Sequence, residues 1–364
     1  MKKVAILIPT KNRIDFVIRT VKYYVSINSP HPIFIGDASG KSSEELVLKA
    51  AQEKIEVYYF HWENLYNRQT ILKLAQEASK ANITDYCAFH GDDDFFVSES
   101  LSKCAEFLDD NPAYATSQGR AFSFELNEDG PYGKLKGLWI YWNLNELKGD
   151  TALERLKEIS ANYWVPLFSV HRIKWFIDDM SNGLDSVTDM HFGEYINVLS
   201  IAMRGKSKFI DCLYLARGAH SDNWNKKKLR RTPGRGRNFK WITGKKWYIS
   251  YTELIISLSE VLSKNDNLSI AESNSEVKLA VEKIMNLDSY YHTSTRKFIR
   301  TKYSEYIGKR GFIFILSKFY RLIKYTPILI FDDFSRRSLR STKSKYYKDV
   351  SFILNSCEKD RYIS

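Results

Sequence analysis

Three consecutive carboxylates, Asp92, Asp93 and Asp94, stand between two apolar runs in the stretch from Tyr86 to Phe96. Adjacent acids repel one another, so their ionised forms are disfavoured unless a cation sits among them. Hard divalent ions such as Mg²⁺ or Mn²⁺ take carboxylate oxygens and keep positions open for phosphate oxygens. A solvated acidic turn is the plain alternative, and the apolar residues on both sides argue against it. A strand running from Tyr86 to His90 would deliver the acids to the carboxyl edge of an α/β sheet, where such folds bind ligands. A further acid, Asp37, lies in Gly36-Asp37-Ala38-Ser39-Gly40, a sequence that also suits an ordinary turn.

The elements that must position these acids are visible upstream. Val4 to Ile8 is an apolar run stopped by Pro9, as expected of a buried parallel strand. Asp15 to Ile27 has helical periodicity with Val17, Val21, Tyr24 and Val25 on one stripe, and Ile33 to Ile35 is a second strand. Ser43 to Lys54 and Leu65 to Ser79 read as helices around a third strand, Ile55 to Phe60. This alternation predicts a parallel sheet wrapped by helices, and right-handed crossovers bring loops 9–13, 36–40 and 91–94 to one crevice. Further on, Ser98 to Leu108 reads as a helix, Tyr114 to Gly119 as a return strand and Phe209 to Leu215 as a last strand. Phe122 to Tyr141 is rich in Gly and aromatic residues.

The order Ile8-Pro9-Thr10-Lys11-Asn12-Arg13, then Asp37-Ala38-Ser39, then Asp92-Asp93-Asp94 resembles GT-A glycosyltransferases of the family 2 type over about residues 1–220. The resemblance implies an α/β fold with a Rossmann-like mixed sheet flanked by helices. It also implies a nucleotide-sugar donor, with Pro9, Thr10 and Asn12 lining the nucleotide pocket, Arg13 near the base or diphosphate, and Asp37 accepting from base or ribose. Asp92 and Asp94 would be the Asp-x-Asp metal pair, with Asp93 able to take the place of one of them. A divalent Mn²⁺ or Mg²⁺ ion would neutralise the departing diphosphate. His220, after the last strand, is the late ligand candidate. In the family an acidic pair opens a helix that ends at a Gly, as the run from Glu194 to Gly205 does. Glu194 therefore takes the role of general base, with Gly193 where the family has an acid and Asp189 in reserve. A first-turn acid favoured by the helix dipole is the competing reading. One base and no second suited carboxylate imply inversion by single displacement.

The chain has 364 residues and a net charge of +12, unevenly placed. Residues 226–246 carry ten Lys/Arg and no acid, and residues 296–348 carry fifteen Lys/Arg against three acids. The remainder is acidic, which weighs against a nucleic-acid partner or a metal nuclease. A sugar nucleotidyltransferase shares the architecture, yet the loop after the first strand lacks its Gly-rich phosphate cradle. The expected organisation is a catalytic domain over 1–222, a basic mobile loop or lid over 223–246, and a basic helical region over 247–364. Apolar positions at helical spacing from Lys309 to Phe331, followed by a polybasic run, suit an anionic membrane surface. The expected setting is cytoplasmic, peripheral on the inner face of the cell membrane, with a glycan or lipid-linked acceptor and a part in cell-surface polysaccharide synthesis. Four scattered cysteines point to a reducing compartment without disulfides.

Overall fold

The computed structural model describes residues 1–141, 145–187, 189–219, 245–289, 334 and 339–358. The chain opens as β1 (Ala5–Thr10), α1 (Ile14–Ser26), β2 (Ile33–Asp37), α2 (Glu44–Ala51), β3 (Val57–His61), α3 (Asn67–Ala81) and β4 (Tyr86–Phe89). Then come β5 (Phe95–Phe96), α4 (Ser98–Asp110), β6 (Tyr114–Leu126), β7 (Leu135–Tyr141) and α5 (Ala152–Ala161). After a 3-10 turn at Pro166–Phe168 follow β8 (Val170–Arg172), α6 (Ile173–Ser181), α7 (Met190–Arg204) and β9 (Lys206–Gly218). Three more helices are described, α8 (Lys245–Asp266), α9 (Ile270–Ser289) and α10 (Tyr347–Ser356).

The strands form one sheet in the order β3-β2-β1-β4-β8-β6-β9-β5, with β7 paired to β6. The first four are parallel, because each returns through a helix, and their register sets Thr10 beside Asp37 and Leu7 beside Phe89. From β8 onward the sheet turns mixed: β8 runs antiparallel to both β4 and β6, while β6 and β9 are parallel. The parallel pairing expected from the early alternation thus covers the first 89 residues, and the whole is the mixed sheet that the family resemblance implies.

Burial explains the halves. β1 is apolar on both faces, with Ala5 to Ile8 at 0% exposure, because α1 covers one side and α3 the other. A second apolar core joins α5 and α7 to α8 and α9 through Leu156, Phe192, Ile196, Leu258 and Val281. α10 returns to the sheet: Val350, Ile353 and Cys357 sit in the same cluster as Val17, Phe95 and Phe96. Within the region from residue 247 onward, α8 and α9 pack with α5 and α7 while α10 packs against the sheet. The expected lid over 223–246 and the amphipathic stretch 309–331 lie outside the described residues, apart from the start of α8. No helix among the described residues is long and apolar enough to cross a membrane.

Candidate active site

The loop after β1, the end of β2 and the turn after β4 meet, as the crossover argument requires. Ala38 N–H donates to the Thr10 carbonyl at 2.9 Å, and Asn12 N–H donates to Ser39 Oγ at 2.8 Å. Asn12 has φ of 58°, a left-handed conformation that Asn tolerates better than most residues, and it turns the chain into α1. The turn 91–94 is closed by Asp94 N–H on the Gly91 carbonyl at 3.1 Å. His90 is buried beneath it, and its Nδ1 faces the Gly91 carbonyl at 2.6 Å. A carbonyl only accepts, so Nδ1 carries the proton and Nε2 accepts from the Tyr24 hydroxyl at 3.0 Å. Burial holds His90 far below the usual range, at about 4, so the ring is neutral.

The three carboxylates are each met by the protein itself. Asp92 Oδ2 accepts from Thr10 Oγ1 at 2.7 Å, and Asp92 Oδ1 lies 2.9 Å from Arg13 Nη1. The same guanidinium reaches Asp93 Oδ2 through Nη2 at 2.8 Å. Asp94 Oδ1 accepts from Gly218 N–H at 2.9 Å, while its Oδ2 accepts from Gly91 N–H at 3.3 Å and lies 3.8 Å from Arg217 Nε. Burial first, and the charge of Asp93 second, push the Asp92 and Asp94 carboxyls up to about 7. Arg13 and Thr10 pull against this at Asp92, and Arg217 with the Gly218 amide at Asp94. Arg217 is itself held between the Phe168 and Tyr141 rings, 4.5 and 5.2 Å from their centroids, and donates to the Tyr141 hydroxyl at 3.3 Å.

This arrangement does not fit a divalent cation while Arg13 stays in place. Both oxygens of Asp92 and both of Asp94 have protein partners, and among the described residues no three His, Cys, Asp or Glu side chains gather as a metal-binding group. Arg13 bridges Asp92 and Asp93 and so takes one oxygen of the Asp92–Asp94 pair expected to hold a metal, and His220 lies outside the described residues.

The other expected site residues fall in two places. Pro9, Thr10, Asn12, Arg13 and Asp37 gather at the carboxyl edge with the acidic turn. Asp37 is fully buried, its carboxylate taking Ser39 N–H at 2.8 Å and the Tyr59 hydroxyl at 2.6 Å. It shapes the 36–40 loop from inside. Asp189 and Glu194 belong to α7. That helix begins at Met190, earlier than expected, because Asp189 caps it: Oδ1 accepts from Phe192 N–H at 3.2 Å. Glu194, one turn further in, is exposed and accepts from the Tyr163 hydroxyl at 3.0 Å.

Arg217, Arg19 and Thr20 went unassigned in the sequence reading. Position after the last strand was a usable signal for Arg217. Arg19 and Thr20 gave none, since a charged residue within a helix reads as solvent-facing.

A parallel half-sheet with an acidic turn at its carboxyl edge, extended by a mixed half that brings β9 back to that turn, is the GT-A arrangement. Residues 5–165 match the family described as Glycosyl transferase family 2, a span that includes Pro9 to Arg13, Asp37 and the acidic turn. Residues 5–165 thus carry a glycosyl transferase family 2 domain, which supports glycosyltransferase activity. Among solved structures it is similar to S. aureus TarS 1-349, at 12% identity and a TM-score of 0.46, covering 98% of this chain and 89% of that one. The complex of TarS 1-349 with UDP gives 12% identity and a TM-score of 0.45 over the same shares of both chains. The complex with UDP-GlcNAc gives 11% identity and a TM-score of 0.42 over 82% of this chain and 92% of that one. No curated protein matches the sequence.

Proposed function

We propose that the donor's diphosphate binds at the turn 91–94, between Arg13 and Arg217, and that a carboxylate of α7 activates the acceptor hydroxyl. The observation that carries this is the set of charges around one turn: three carboxylates faced by arginines from the β1–α1 loop and from β9. A leaving nucleoside diphosphate gathers negative charge as the glycosidic bond breaks, and preorganised cations stabilise that charge. Arg13 and Arg217 have the charge and the exposure to meet it, each side chain being about a third exposed. On the acceptor side Glu194 is the base, as an exposed carboxylate on α7 with Asp189 in reserve. Attack by the deprotonated hydroxyl opposite the leaving group inverts the anomeric carbon in one displacement. The acceptor in this reading is a glycan or a lipid-linked glycan at the cytosolic membrane face, served by the basic segments.

The test is a thermal-shift screen of the full chain with UDP-, GDP-, CMP- and dTDP-sugars, each with and without Mn²⁺. Sugars of one nucleotide should raise the melting temperature, because a ligand bound only by the native state stabilises it. Asp94→Asn should lose that rise, since an amide cannot accept from Gly91 and Gly218 through both of its atoms. Wild type that responds to none of the four classes overturns the reading. The Mn²⁺ arm reports whether a cation displaces Arg13 on donor binding.

A further inference from the structure

We infer that Arg19 is a positioning residue for the donor site: from beneath, it fixes the acidic turn, and it makes the C-terminal helix part of that turn's support. Arg19 lies in the middle of α1 with 0% exposure, and among the described residues no carboxylate is within ion-pair distance of it. Its donors go to the backbone of two separate elements. Nη2 donates to the Asp93 carbonyl at 2.9 Å, and Nη1 donates to the Pro131 carbonyl at 2.7 Å in the turn between β6 and β7. Nη1 also lies 3.8 Å from Cys357 Sγ, just past α10. The guanidinium packs against the rings of Phe95 and Phe16 at 4.8 and 5.2 Å, and Nε has no hydrogen-bond partner among the described residues.

A buried charge without an ion-paired partner is costly, and an apolar side chain of the same volume would satisfy the core better. What an apolar side chain would lack is the grip on the turn. The neighbouring Thr20 repeats that grip, its Oγ1 donating to the Asp92 carbonyl at 3.0 Å. Two consecutive residues of α1 therefore hold the two consecutive carbonyls of Asp92 and Asp93. With both carbonyls pinned downward, the carboxylates are set toward Thr10 and Arg13. Arg19 adds its field, which draws the Asp92 carboxyl down against burial.

The C-terminal segment closes this from the far side. Gly133 N–H donates to the Cys357 carbonyl at 2.9 Å, so the β6–β7 turn and the end of α10 hold each other around Arg19. Cys357 is 338 residues away from Arg19 in sequence, yet both belong to the floor of the acidic turn. α10 is thus part of the donor site's foundation, although no residue of it reaches the crevice.

The inference rests on the donor reading above, and the test separates the two. Arg19→Lys and the near-isosteric Thr20→Val are made in the full chain. Each is measured for melting temperature, for affinity toward the UDP-, GDP-, CMP- and dTDP-sugar panel, and for amide exchange. Loss of one charged hydrogen bond should weaken donor affinity about tenfold in Arg19→Lys, and loss of the hydroxyl about threefold in Thr20→Val, at temperatures where both are folded. Exchange should quicken at Asp94 and Gly133 in Arg19→Lys while the amides of β1 and β2 stay protected. Lowered melting temperature with wild-type donor affinity in either folded variant would make Arg19 merely structural and overturn the inference. Should wild type bind none of the panel, the donor reading falls, and exchange alone decides: unchanged rates at Asp94 and Gly133 sink the inference too. If Arg19→Lys does not fold, Thr20→Val decides by the same two measurements.

Discussion

Arg13 holds two carboxylates at once, which makes Arg13→Gln the most informative single substitution. The variant leaves Asp92 and Asp93 adjacent, with side chains 6% and 19% exposed, and removes the guanidinium 2.9 and 2.8 Å away. Breaking a fully buried pair by removing one partner costs about 3–5 kcal/mol, whereas an exposed pair contributes about 0–1 kcal/mol. Arg13 is 29% exposed, so solvent screens part of its charge and the expected loss is about 2 kcal/mol. The guanidinium also lies 4.1 Å from the Phe16 centroid, a cation–π contact that is lost with it. For a chain of this size about 2 kcal/mol corresponds to a fall of about 3 °C in melting temperature. Removing Arg13 also frees Asp92 Oδ1 and Asp93 Oδ2, the oxygens that a hard cation would take. Millimolar Mn²⁺ should therefore raise the melting temperature of Arg13→Gln by several degrees more than that of wild type. The assay is thermal unfolding at pH 7.5 with EDTA or with Mn²⁺. An unchanged melting temperature in EDTA refutes the stabilising bridge, and equal Mn²⁺ responses refute the competition between Arg13 and a metal.

Three other outcomes follow from the same geometry. Glu194→Gln, exposed and bonded to Tyr163, should keep its stability and lose about a hundredfold in turnover, whereas Asp189→Asn should retain both the helix cap and turnover; the reverse result would move the base to Asp189. Gly36→Ala would put a Cβ 2.7 Å from Thr70 Cγ2, with Trp62 and Leu74 also close, so urea unfolding should show a loss of about 1–3 kcal/mol, and full stability would mean that β2 and α3 separate freely. His31 accepts from Val4 N–H through Nδ1, and burial lowers its value from 6.5 to about 4. Its contribution is complete above pH 6.5 and is lost as pH falls toward 4, by about 3 kcal/mol in all. His31→Asn should flatten that part of the acid profile measured by urea titration at pH 7.5 and 4.5, and an unaltered slope would place the acid sensitivity elsewhere.

How much of this was legible in the sequence depended on whether the signal was local. β1, β2, β3, β4 and the helices between them follow from apolar runs and helical spacing, and their observed bounds differ from expectation by a few residues. β8 has no counterpart among the expected strands, because three residues carry no period; the mixed sheet was legible only through the family resemblance. β6 was expected to stop at Gly119, yet it continues to Leu126 because β9 and β7 pair with its two edges. The crevice was legible because three loop ends had to meet. Its cations were not, since Arg13 was assigned to the nucleotide and Arg19 and Arg217 received no role. A charged side chain in sequence looks the same whether it faces water or lies under a turn. Arg19 is covered by the β6–β7 turn and by Cys357 at the end of α10, and the latter contact spans nearly the whole chain.

The arginines also constrain how a donor can enter. Asp92, Asp93 and Asp94 face Arg13, Arg217 and, through the backbone, Arg19, so the turn already holds one arginine for each carboxylate before any diphosphate arrives. A nucleoside diphosphate adds negative charge, which must be met by a new cation or by one of these three. Arg19 has no freedom, since it is fully buried with its donors on backbone carbonyls. Arg217 sits between two aromatic rings, and withdrawing it would leave Asp94 to its two amide donors alone. Arg13 stands on a loop at the crevice rim and can turn by side-chain rotation. If it moves to the diphosphate, Asp92 and Asp93 lose their counter-charge and become the attractive place for a divalent ion. On this reading Arg13 and a metal are successive occupants of one position, and Mn²⁺ affinity should rise when the donor is bound. Titrating Mn²⁺ against the protein with and without saturating donor decides it, because equal affinities would mean that Arg13 never leaves Asp92.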